Sequence, residues 1–130
     1  MNLHSDSLWI GALIKERIDA IAPVYPCIAS ESAPAEFCVY RRAGYSGHDT
    51  KDRFNYSETV NIVISIVAPT YIRSIELAQK VKDRLDGKCG VWNGKRIDYL
   101  AMTNAVEEYA ENNYMQHLYF SIDIDTSYGK

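Results

Sequence analysis

Residues 60–68, VNIVISIVA, alternate strictly: Val60, Ile62, Ile64 and Ile66 fall on one side, and Asn61, Val63, Ser65 and Val67 on the other. Strand side chains point to opposite faces with period two, so the pattern predicts a long central strand from Tyr56 to Ala68 with one aliphatic face. The second face is mixed, which suits a surface that is solvated or covered by another subunit. The alternation stops at Pro69-Thr70. Proline has no amide to give a sheet ladder, and a threonine hydroxyl can accept from the first turn of a helix. From there the period becomes helical, with Tyr71, Ile75, Ala78, Val81 and Leu85 as the expected buried stripe. Glu76 and Lys80 are spaced for an i,i+4 ion pair, and Gly87 supplies a left-handed stop.

Upstream, Ile10, Leu13, Ile14, Ile18 and Ile21 form one face of a first helix. The pattern predicts a cap at Ser5, Asp6 or Ser7, a run to about Ala22 and a stop at Pro23. Val24 to Ile28, flanked and interrupted by prolines, is at most a short edge strand, and SESAPAE (30–36) is a polar loop. Phe37 to Tyr45 is a strand. SGHDTKDRFN (46–55) is polar and lacks a period, which predicts a long projecting loop. Downstream, Asn93-Gly94 is a two-residue hairpin turn between Val91-Trp92 and Lys95–Met102. Residues 103–113, TNAVEEYAENN, fit either a bulged strand or a helical turn, with a further turn at Asn112-Asn113. Tyr114 to Asp125 is the last strand, with Gln116, Leu118, Phe120, Ile122 and Ile124 on one face and Met115, His117, Tyr119, Ser121 and Asp123 on the other. Residues 126–130 are expected to fray. The order predicts an α+β fold: two helices packed on one face of a mostly antiparallel sheet, with a long projecting hairpin loop.

The 130 residues suit a single domain, 1–130, large enough for a core without metal or disulfide staples. A net charge of −3 and a pI near 5.6 argue against a general nucleic-acid binder. Cys27, Cys38 and Cys89 make an odd count without C-x-x-C spacing, which reads as reduced, partly buried thiols of a cytosolic protein. The apolar stretch Leu8–Ile14 has no basic residues ahead of it, so neither a signal peptide nor a membrane span is expected. Ten tyrosines suit protein interfaces, and equally suit strands.

No nucleophile–base pair is suggested by local context. His48-Asp49 with Asp52 offers one imidazole, which fits a solvated loop tip better than a metal centre. GKCGVWNGK (87–95) fails as a phosphate loop, because the glycine offset lands on Cys89 and Arg96 follows the lysine. Glu107, Glu108 and Glu111, with Asp123 and Asp125, form an acidic group. Arg73, Lys80, Lys82, Arg84, Lys88, Lys95 and Arg96 make residues 71–96 net positive. Segregated opposite charges suit head-to-tail contact between copies, with Arg73, Lys80, Arg84, Glu107, Glu108 and Glu111 as inter-subunit candidates.

With these elements placed, the chain resembles the tail completion, or tail-to-head joining, family of long-tailed bacteriophages, whose relatives include the tail terminators. The resemblance lies in EFCVYRR (36–42), in TVNIVISIVAPTYIRSIELAQKVKDRLDG (59–87), in Glu107-x-Tyr109 and in YMQHLYFSIDID (114–125), and it spans about residues 7 to 125. It implies a homo-oligomeric ring, commonly a hexamer, at the head-proximal end of the tail. Such a ring would cap the tail tube protein and face the head connector or stopper protein, located in the virion neck and in host cytoplasm during assembly. It implies no catalytic residue, cofactor, metal or membrane contact. On this reading His48, Asp49, Lys51, Asp52 and Arg53 belong to a partner- or lumen-facing loop. Arg41 and Arg42, with Lys51 and Arg53, would make weak phosphate contacts to DNA in the lumen. The cysteines and the tyrosine-rich surface depart from the family pattern and leave ring size and partner open. Two alternatives stand beside it: a small metal-dependent phage nuclease using Asp49, Asp52, Glu107 and Glu108, and an unrelated dimeric α+β binding module.

Overall fold

The computed structural model describes residues 6–48, 57–92 and 94–125. A 3-10 turn, Asp6–Trp9, leads into α1 (Ile10–Ile18), followed by β1 (Val24–Pro26), β2 (Phe37–His48) and β3 (Ser57–Ala68). Then come α2 (Tyr71–Leu85), β4 (Lys88–Trp92), β5 (Lys95–Ala110) and β6 (Asn113–Asp125). The strands form one six-stranded sheet in the order β1-β2-β3-β6-β5-β4. β1 runs parallel to β2 and every other pairing is antiparallel, so the fold is α+β with a mixed sheet.

Alternation decides the core. Val60, Ile62, Ile64 and Ile66 of β3 are buried with Leu118, Phe120, Ile122 and Ile124 of β6 and Ile97 and Leu100 of β5. The apolar stripes of α1 (Ile10, Leu13, Ile14, Ile18) and α2 (Leu77, Ala78, Val81, Leu85) enter the same cluster. Close packing reaches the backbone at Gly11, where a Cβ would lie 2.6 Å from a ring carbon of Tyr40. The residue is glycine because α1 sits directly on that ring.

The corner after β3 forms as its sequence predicts. Pro69 ends the strand, and the Thr70 hydroxyl accepts from the Arg73 amide at 3.3 Å. The α2 stripe is rotated from the expected one. Ser74 and Leu77 are buried, whereas Tyr71 and Ile75 are exposed. The set 74, 77, 78, 81, 85 is also helically spaced, and Ser74 tolerates burial because its hydroxyl donates to the Tyr71 carbonyl at 2.7 Å. Glu76 pairs with Arg73 at 3.2 Å instead of Lys80, because Arg73 is already held beside it. Gly87 has φ of 75° and closes α2 as expected.

Other boundaries move. α1 opens on a 3-10 turn with Trp9 at its N-cap and no side-chain cap, and it ends at Ile18, well before Pro23. Ile21 follows in a turn and still packs on the core. Ser46, Gly47 and His48 belong to β2, which pairs with β3 out to His48 and Ser57. Residues 49–55, the rest of the expected projecting loop with Asp49, Lys51, Asp52 and Arg53, lie outside the described residues, as do residues 126–130. Residues 103–110 are strand, bulged between Met102 and Asn104. The following turn is Glu111-Asn112, both at positive φ (53° and 65°), one residue earlier than expected. All three cysteines are free, but only Cys38 is buried, while Cys27 and Cys89 are exposed. Among the described residues no helix is long and apolar enough to cross a membrane.

Candidate functional site

Two polar constellations form where α2 begins and the β5–β6 hairpin ends. In the first, Tyr71, Glu107, Glu108, Tyr109, Tyr114 and Gln116 line a cleft of about 200 Å³. Tyr71 is there because the Pro69-Thr70 corner starts α2 beside the hairpin. Glu107, Tyr109, Tyr114 and Gln116 are there because Glu107 faces Gln116, and Tyr109 faces Tyr114, across the β5–β6 ladder. The Tyr71 hydroxyl donates to Glu107 Oε2 at 2.7 Å. Gln116 Nε2 reaches the same oxygen at 3.0 Å and Ser74 Oγ at 3.2 Å. These donors hold the Glu107 carboxyl below its ordinary pKa, Tyr71 contributing more than Gln116. The carboxylate in turn raises that of Tyr71. The Tyr114 ring lies 5.7 Å from that of Tyr71 and 4.7 Å from that of Tyr109. The cleft is acidic and aromatic, and it is smaller than a typical small-molecule pocket. It suits a cationic side chain better than a substrate.

The second constellation lies on the opposite alternation set of the sheet. Ser65 Oγ is 2.7 Å from His117 Nδ1, and His117 Nε2 is 2.8 Å from Glu108 Oε1. Chemically this is a serine–histidine–carboxylate chain, which the sequence reading missed. It sought such partners in local context, and β3, β5 and β6 bring these three together only through sheet register. The placement of His117 on the second face is as expected. Ser65 sits within β3, paired with Val39 on one side and His117 on the other. The surrounding amides are therefore engaged in ladders rather than aimed at an oxyanion. The chain of bonds orders this second face, on which Val63 and Val67 are themselves buried.

The charged candidates separate. Arg73 grips Glu36 through Nε and Nη2 at 2.7 and 2.9 Å, so its guanidinium is committed within the chain. The contact lowers the Glu36 pKa and raises that of Arg73. Lys80 and Arg84 come together with Lys88, Ile21 and Asp83 around a basic cleft of about 360 Å³, where Arg84 also donates to the Arg17 carbonyl at 2.9 Å. Glu107 and Glu108 are engaged as described, and Glu111 stands exposed in the hairpin turn. Among the described residues no group of three or more His, Cys, Asp or Glu side chains is arranged to hold a metal ion.

A third polar feature lies inside. Glu58 is fully buried and accepts a hydrogen bond from the Tyr45 hydroxyl. Its signal was present in the sequence, since Glu58 continues the alternation of Val60 and Ile62.

No family model and no curated protein matches the chain. Among solved structures it is similar to a chain of "Virion of native gene transfer agent (GTA) particle", with a TM-score of 0.76 and 16% identity. The superposition covers 93% of this chain and 99% of that one. At that identity the likeness shows a common fold over nearly the full length of both.

Proposed function

We propose that this protein is a structural component of a phage-like virion that assembles with copies of itself. The observation that carries this reading is the full-length fold likeness to a chain of a gene transfer agent virion. The separation of charge supports it: a basic cleft at Lys80, Arg84 and Lys88, and an acidic hairpin end at Glu107, Glu108 and Glu111. Like surfaces would repel and unlike surfaces attract, which favours head-to-tail contacts over symmetric dimers.

The finer reading follows from the family resemblance. The copies form a ring, a hexamer in the commonest case, at the head-proximal end of a tail. The tail tube lies on one side and the head connector or stopper on the other. The two helices cover one face of the sheet and leave the mixed face for contacts. Arg41, exposed on β2 and in register with Val63 on the mixed face, is available for weak phosphate contact with DNA passing through the lumen, whereas Arg42, in register with Ile62, lies on the other face.

Light scattering and negative-stain microscopy of the purified protein at low and high salt test this. The expected result is a ring that loosens as salt screens the charges. A strictly monomeric protein at low salt would overturn it.

A further inference from the structure

We infer that the cleft of Tyr71, Tyr109 and Tyr114 is a receptor for an arginine side chain carried on a segment of another protein. Such a site goes beyond self-assembly, because it is a contact with a partner of different sequence.

The cleft carries negative charge that the chain itself does not balance. The Tyr71 hydroxyl and Gln116 Nε2 both donate to Glu107 Oε2, which fixes the carboxylate in place. These bonds keep Glu107 ionised at neutral pH. Its other oxygen, Oε1, accepts no hydrogen bond among the described residues. Glu108 alternates to the other face of β5 yet still lines the cleft, and only its Oε1 is engaged, by His117. Among the described residues neither carboxylate pairs with a lysine or arginine. Arg73 follows Tyr71 by two residues, but it grips Glu36 and Glu76 instead. A fixed carboxylate with one open oxygen is a ready acceptor for a charged donor.

The rings select the kind of cation. The Tyr114 ring is inclined at 64° to Tyr71 and 53° to Tyr109, so the three make walls rather than one flat stack. Tyr71 and Tyr109 are 43% and 59% exposed, and Tyr114 is half-buried. A ring face attracts a cation. A guanidinium is flat and weakly hydrated, and it can stack on a ring while its N–H groups reach a carboxylate. An ammonium is a compact, strongly hydrated charge and gains less in a partly open site. At about 200 Å³ the cleft has room for one such head group rather than a drug-sized ligand. Apolar surface continues beyond it along α2, where Ile72 and Ile75 are exposed. That rim suits the residues flanking an arginine in a polypeptide, the usual setting of an arginine anchor.

The arginines of a second copy fit poorly. Arg17 lies 4.0 Å over the Trp92 ring, Arg73 holds Glu36, Arg84 donates to the Arg17 carbonyl, and Arg96 is 3.4 Å from Asp98. Arg41 and Arg42 sit within β2, in register with Val63 and Ile62, rather than at a projecting tip. Lys80, Arg84 and Lys88 line a cleft of their own, and one concave surface does not fill another. That basic cleft can take the exposed Glu111 turn of a neighbouring copy, which leaves the aromatic cleft for a different chain.

Saturation-transfer NMR on the purified full-length protein tests the site, with acetyl-Gly-Arg-Gly-amide as the probe and its lysine and neutral citrulline analogues as controls. The arginine peptide should bind with a Kd on the order of 1 mM. The citrulline peptide should bind about tenfold more weakly, and the lysine peptide about threefold more weakly. Glu107→Gln keeps an acceptor for Tyr71 and should weaken the arginine peptide about tenfold. Tyr109→Ala, at an exposed position, should weaken it about threefold. No binding, equal binding of the citrulline peptide, or binding that both variants leave unchanged would overturn the site. Light scattering on the same samples identifies the occupant, and the peptide should leave the size of the assembly unchanged. An assembly that the arginine peptide disperses would show that a neighbouring copy fills the cleft, and would overturn the assignment to a different protein. Arginine binding by a protein that stays monomeric would overturn the ring and support this site.

Discussion

Arg73 holds both carboxylate oxygens of Glu36, fastening the loop before β2 to the first turn of α2. The fork geometry of guanidinium and carboxylate makes this a directional contact rather than a loose ion pair. Because the contact lowers the folded pKa of Glu36, it contributes fully above the ordinary glutamate value of about 4.3. The contribution is lost as pH falls through the lower folded value. Glu36→Gln should therefore melt below the parent protein at neutral pH, with the difference closing as the pH is lowered through the acid range. A difference that stays constant across thermal melts from neutral to strongly acid pH would contradict this.

The thiols should report the burial directly. Desolvation pushes the Cys38 pKa up to about 12, so it has almost no thiolate at neutral pH. Titration of the native protein with a thiol reagent should modify Cys27 and Cys89 rapidly, and Cys38 only after denaturant is added. Three equal fast reactions would contradict the placement of Cys38.

The rotated stripe of α2 can be read from two truncations. Leu77 is 1% exposed and Ile75 is 39% exposed. Leu77→Ala should cost about 2–5 kcal/mol in urea denaturation. Ile75→Ala should cost less than about 1 kcal/mol. The reverse order would restore the stripe first expected from the sequence.

At the corner, Thr70→Ala removes the acceptor for the Arg73 amide. The expected loss is about 1 kcal/mol of stability, and Thr70→Ser should recover most of it. Equal stability of all three proteins would mean that the hydroxyl contributes nothing there.

What the sequence made legible was local. The period-two runs in β3 and β6 gave the correct faces residue by residue, and Pro69-Thr70 gave the corner before α2. What escaped depended on partners far along the chain. Nothing near Tyr71 announces that Glu107 will accept its hydroxyl, so a tyrosine at helical spacing reads as core. Nothing near Ser65 points to His117 and Glu108, which arrive only through strand register. Arg73 looked available for another subunit because Glu36 lies across a loop of no fixed period. Glu58 was a simpler omission: its parity already put it inside.

The two strands at the middle of the sheet, β3 and β6, come from distant parts of the chain, with Ser57 facing Asp125 and Ala68 facing Tyr114. α2, β4 and β5 all intervene. The core therefore cannot close by local steps, and its formation waits on a search for β6. Such non-local pairing slows folding toward the millisecond-to-second range. Until that search succeeds, the isoleucine row of β3 stays open to the wrong neighbours, and the yield of correctly folded protein should depend on how dilute the newly made chains are.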